Sequence, residues 1–116
     1  MQIGIFAKTF AGTAPDTVFA SMREAGYDLC QYNMACSGLP AMPAEISAAK
    51  ADEFKLARNT YGVTIAALSA TYNMIHPDQA RRLHGGVQLA ELAKFAKAMG
   101  IPMLTLCTGS RNPDDQ

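Results

Sequence analysis

Four groups of polar residues in this 116-residue chain have the types that bind substrates or move protons, and each group ends a short apolar run. They are Lys8 with Thr9, Gln31 with Asn33, Thr71 with Asn73 and His76, and Thr108 with Ser110 and Arg111. A guanidinium fork beside hydroxyl and backbone N–H donors suits a phosphate or carboxylate, which makes Arg111 after Thr108-Gly109-Ser110 an anion-recognition candidate. The competing reading is local pairing of Arg111 with the acids of NPDDQ, residues 112–116. Lys8 is a point charge for an anion, or a strand-end lysine that keeps only its head in water. His76 precedes Pro77, which biases it to extended backbone, and Asp78 can cap a following helix. It is therefore either a satisfied turn histidine or a contact to a substrate hydroxyl. A metal needs three or more ligands, and no other His, Cys, Asp or Glu at these run ends completes a set. The second histidine, His84, lies in a helical pattern and reads as solvated. No Ser-His-Asp or Cys-His arrangement and no phosphate-cradling glycine loop is present, so no residue is assigned a catalytic or metal-binding role.

The elements that must position these groups alternate regularly. IGIFAK (3–8) reads as a strand, and PDTVFASMREAG (15–26) as a helix with Pro15 in its first turn and Gly26 at its end. Val18, Met22 and Ala25 share one face of it. YDLCQYNM (27–34) is a second strand, followed by a Gly/Pro-rich loop. A helix from about 44 to 61 carries Ile46, Phe54, Ala57 and Tyr61 on its apolar side. VTIAALSA (63–70) is the third strand, and a helix over 79–99 presents Leu89, Leu92, Ala93, Ala96 and Met99. IPMLTLCTG (101–109) is the fourth strand. The order β-α-β-α-β-α-β implies an α/β fold with parallel pairing and crossover helices.

Bulk properties narrow the class. Hydrophobic residues at 49% can build a core, and ten basic against ten acidic residues leave no cationic footprint for nucleic acid. No signal-like start and no run of about 18 apolar residues occurs, so no membrane partner is expected. Cys30, Cys36 and Cys107 form no C-x-x-C pair, which favours free thiols and a reduced, cytoplasmic location. An open doubly wound sheet and part of a (β/α)8 barrel both fit the rhythm. In the second strand Gln31 and Asn33 share one face while Cys30, Tyr32 and Met34 share the other. A barrel strand tolerates inward polar groups near its C-terminal end, and the first βα turn lacks G-x-G-x-x-G. The barrel is preferred.

The segments IGIFAKTF, QYNMACSGLP, ALSATYNMIHPD and TLCTGSRNPDD together resemble the sugar phosphate isomerase/epimerase family of xylose isomerase-like TIM barrels. The resemblance implies that residues 1–116 form the N-terminal half of such a barrel, four strands and three helices, truncated relative to the family. It implies a metal-dependent isomerase or epimerase of a sugar or sugar phosphate, moving a proton next to a carbonyl. The expected cofactor is a divalent metal (Mn, Mg, Co or Zn) bound by a Glu-Asp-His-Glu set on strands five to eight. This chain alone would then bind no metal, hold no catalytic residue and supply one wall of the substrate pocket through Asn33, His76, Arg111, Lys8 and Gln31. Related endonuclease IV-type phosphodiesterases place metal-binding histidines after strands three and four; His76 matches the first, and TLCTGSR offers no second. Four strands cannot close a barrel, so self-association through open edges is the remaining alternative.

Overall fold

In a computed structural model, residues 2–107 and 109–111 are described. Four strands, β1 (Ile5–Phe6), β2 (Leu29–Tyr32), β3 (Thr64–Ser69) and β4 (Leu104–Thr105), alternate with three helices. The helices are α1 (Pro15–Glu24), α2 (Ala48–Tyr61) and α3 (Gln79–Met99). The strands pair in parallel in sequence order, β1-β2-β3-β4, so each helix connects neighbouring strands. This is the predicted α/β half barrel.

The strands are shorter than the apolar runs that encode them. Beyond Phe6 the chain leaves β1 for a 3-10 turn, Ala7–Thr9, closed by the Phe10 N–H on the Ala7 carbonyl at 3.1 Å. Edge strands have one neighbour to hold them, and β1 and β4 each pair over two residues. In β3, Ala66 is an extra residue opposite the Cys30–Gln31 step. This bulge lets Ile65 and Leu68, three apart, both reach the helix-covered side, where each is buried.

Helix limits follow their caps. Pro15 opens α1 with a preset φ and no N–H to leave unpaired. Helix α2 starts at Ala48, four residues later than the expected start, because the Ser47 hydroxyl accepts from the Lys50 N–H at 3.2 Å. Asp78 accepts from the Ala80 N–H at 2.9 Å and caps α3 as expected. Two buried aromatics replace two predicted alanines: Phe19 rather than Ala25 faces the core in α1, and Phe95 rather than Ala93 in α3.

The core lies between the helices and one face of the sheet. Phe54 of α2 stands edge-on to Phe19, Tyr32 and Phe95, at ring-centroid distances of 6.0, 5.0 and 5.3 Å. Tilted and edge-on rings add roughly 0.5–1.5 kcal/mol per pair beyond the area they bury. The Tyr32 hydroxyl is paired with Ser37 Oγ at 2.6 Å, so the one polar tip in this cluster is satisfied. Burial holds that phenol neutral, raising its pKa well above the ordinary value against the opposing effect of Ser37.

Candidate functional site

Among the described residues the predicted polar side chains lie at or beyond the C-terminal ends of the strands, and packing puts Gln31, His76 and Arg111 in three different settings. Gln31 and Thr105 occupy the sheet face away from the helices. Gln31 pairs in register with Phe6 and Ala67, and its amide reaches past β3 to donate to Thr105 Oγ1 at 2.8 Å. These are polar groups on the concave side, where a closed barrel would place its interior. Phe6, 38% exposed, shares that face through its register with Gln31.

Asn33 does not join them. It is buried, and its side-chain oxygen accepts from the Ala35 N–H at 2.9 Å, capping the 3-10 turn Met34–Ser37. Asn mimics a backbone turn in this way, which explains its place at the strand end without a ligand. Lys8 is exposed on the 3-10 turn after β1. Its ammonium acts on Cys36, where burial raises the thiol pKa while the Asn33 backbone and Lys8 pull it down.

His76 forms the second setting. It is 3% exposed, and Nδ1 accepts from the Asp78 N–H at 2.9 Å. The proton of a neutral ring is then on Nε2, which sits 3.4 Å from Arg81 Nη1. The His76 carbonyl accepts from the Arg82 guanidinium, and its N–H reaches the Asn73 carbonyl at 3.4 Å. The ring is thus held by the turn it belongs to, and it lines a cleft against α3.

Arg111 forms the third. It is exposed and shares a shallow hollow of about 430 Å³ with Met74, Ile75, Pro77 and Arg82. The neighbouring Thr108 and the acids of residues 112–116, invoked for and against anion binding, lie outside the described residues.

Asn73 carries a role its sequence context understated. Its amide donates to the Ser110 carbonyl at 2.5 Å and accepts from the Ser110 N–H at 2.9 Å and the Ile75 N–H at 3.3 Å. It therefore ties the segment after β4 to the segment after β3. A Cβ on Gly109 would collide with this amide, and Gly109 has φ +90°, so glycine is required there twice over. The Asn73 type was visible in the sequence, but its partner 37 residues away was not.

Among the described residues, no three His, Cys, Asp or Glu side chains lie close enough to hold a metal ion. His76 Nδ1 and the Asp78 carboxylate are both engaged by backbone N–H groups. The described residues therefore do not assemble the donor set that a family metal would require.

A parallel four-strand sheet with crossover helices and polar groups at its strand ends is the architecture of a TIM-barrel half. The sequence profile of the xylose isomerase-like TIM barrel family matches residues 19–116, and the chain belongs to that family. Its structure is similar to the crystal structure, at 1.90 Å resolution, of a "Putative Xylose isomerase" from Rhodospirillum rubrum. The TM-score is 0.66 at 17% identity, covering 95% of this chain and 39% of that one. At that identity the likeness concerns the fold. No curated protein matches the sequence. No helix among the described residues is long and apolar enough to cross a membrane.

Proposed function

We propose that residues 1–116 form the N-terminal half of a xylose isomerase-like barrel that interconverts small sugars or sugar phosphates, as an isomerase or epimerase. The observation that carries this reading is the Gln31–Thr105 pair on the concave face of a family-matched parallel sheet. An amide and a hydroxyl there can exchange their mutual bond for bonds to substrate hydroxyls. Arg111, exposed at the same strand ends, would attract a phosphate or carboxylate from the rim. Asn33 and His76 shape the wall by holding turns, and Lys8 contributes charge near Cys36. The reaction is proton transfer next to a carbonyl. Its proton-transferring carboxylates, and the ligands for a divalent Mn, Mg, Co or Zn ion, would come from the complementary half. The three free cysteines agree with a cytoplasmic location.

The test mixes this chain with a separately produced C-terminal half of a xylose isomerase-like barrel and supplies each metal in turn. Aldose–ketose interconversion and epimerisation should arise only in the mixture. Gln31→Leu and Arg111→Gln should each lower kcat/KM by roughly 10-fold. A closed complex that leaves every sugar unchanged would refute the assignment, and cleavage of abasic DNA by that complex would replace it with a phosphodiesterase. The exposed Phe6, Met103 and Leu106 favour a second reading, a half barrel that pairs with its own copy. Light scattering on the chain alone separates the two.

A further inference from the structure

Helix α3 carries apolar side chains on two opposite faces. Leu92, Phe95 and Ala96 are buried on the face it turns to the core. Leu83, Val87 and Ala90 recur four and three residues apart, which puts them on one stripe half a turn away from that face. Leu83 is 65% and Val87 66% exposed, so neither serves the core of this chain. The other helices differ: α1 exposes no large hydrophobic residue, and α2 exposes only Leu56. A helix that is apolar on both faces is normally covered on both.

Closing the barrel would not cover this stripe. Helices of a (β/α)8 barrel form an outer ring, and the stripe lies on the side of α3 opposite its buried residues. It is also separate from Phe6 and Met103 on the concave face. The inference therefore stands apart from both readings above.

The stripe is complementary to its own reverse. Two copies of α3 laid antiparallel about a point between residues 86 and 87 set Leu83 of each against Ala90 of the other, and Val87 against Gly86. Each bulky side chain meets a small one, which lets the two helices approach closely about a twofold axis. Gly86 points the same way. Glycine in mid-helix weakens the helix, yet nothing in this chain stands within 4 Å of a Cβ there. The fold of one copy does not require it, whereas a second copy's valine needs the space.

Charge selects the same direction. The antiparallel arrangement sets Gln79 against Lys94 and brings exposed Asp78 within one turn of Lys94 and Lys97 of the other copy. Lys97 takes part in none of the ion pairs found among the described residues. Parallel packing would instead set Lys94 against Lys94.

We infer that two copies of this chain pair through the outer face of α3, antiparallel about a twofold axis, with Leu83, Gly86, Val87 and Ala90 in contact.

The test is sedimentation equilibrium of the full 116-residue chain from about 10 μM to 1 mM, since one helix pair covers less surface than a tight interface. The average mass should rise with concentration from one chain to two and no further. Val87→Glu should weaken the pair roughly 10-fold or more. Gly86→Leu should do the same, although it adds apolar surface and has open space in the single chain. Phe6→Glu should leave the pair unchanged. In a Cys107→Ser background, mild oxidation should join two Val87→Cys chains near the twofold axis. It should not join two Leu83→Cys chains, whose sites lie roughly 10 Å apart along the helices. A chain that stays single up to 1 mM overturns the inference, as does insensitivity to Val87→Glu. Tighter association of Gly86→Leu, or loss of the pair in Phe6→Glu, would place the contact on another surface. Joining of two Leu83→Cys chains would refute the antiparallel packing.

Discussion

The two faces of the sheet contrast sharply. The helix-covered face buries Phe19, Tyr32, Phe54, Leu68 and Leu92 completely and satisfies its one phenol with Ser37. The concave face leaves Phe6 and Met103 38% and 58% exposed and joins Gln31 to Thr105 by a single bond. The same strands supply both, so the difference comes from what covers them. The helices of this chain complete the first face, and nothing among the described residues covers the second. Stability should therefore reside on one side and binding capacity on the other.

The strongest way to break that division is at Phe54. Phe54→Ala removes a ring in contact with three others and should cost about 3–5 kcal/mol by denaturant unfolding. Phe6→Ala on the concave face should cost less than about 1 kcal/mol. Equal losses would mean that both faces are packed.

Alkaline pH should produce the next effect. Burial, aided by the nearby Cys36, raises the Cys30 thiol pKa from the usual 9.0 to about 12. Between those values the unfolded chain releases a proton that the folded chain keeps. Stability then falls as pH rises through that window, and the neutral Tyr32 phenol acts in the same direction. Unfolding midpoints measured from pH 8 upward should decline. At neutral pH a thiol reagent should label exposed Cys107 quickly and reach Cys30 and Cys36 only on unfolding.

Asn73→Ala should cost about 1–3 kcal/mol, because it strands the Ser110 and Ile75 N–H groups it now satisfies. Hydrogen exchange at Ser110 should rise in the same variant. A smaller and sharper contrast lies in adjacent glycines. Gly85→Ala drives a methyl into the Tyr72 ring and should destabilise by about 1–3 kcal/mol, whereas nothing stands within 4 Å of a Cβ on Gly86. Gly86→Ala should therefore stabilise the protein by about 0.5–1 kcal/mol through helix propensity. Thermal melts of the two variants should move in opposite directions.

Much of the fold was legible because its signals are local. Pro15, Asp78, Gly62 and Gly100 mark helix ends through their own φ preferences or side-chain caps, within a few residues of the backbone they satisfy. The strand–helix alternation then leaves few topologies, and parallel order follows from crossovers of this length. The face assignment of Cys30, Tyr32 and Met34 against Gln31 also followed from period-two alternation alone. The strand ends were less legible, since how far β1 and β4 pair depends on neighbours and not on their own residues.

The site was legible only as a set of residue types at one edge of the sheet. Chain order and chemistry determined that Gln31, Asn33, Asn73, His76 and Arg111 would gather there. Only tertiary structure decided which of them are occupied by the fold. Asn33 and His76 bond to backbone within two residues of themselves, while Asn73 bonds across 37 residues and Gln31 across 74. A polar side chain that satisfies backbone N–H groups is held by the fold, whereas one bonded only to another side chain, as Gln31 is to Thr105, can exchange that bond for a ligand. That balance is struck between segments distant in sequence, which is why Arg81 and His84, ordinary surface residues by pattern, came to line the cleft beside Tyr72.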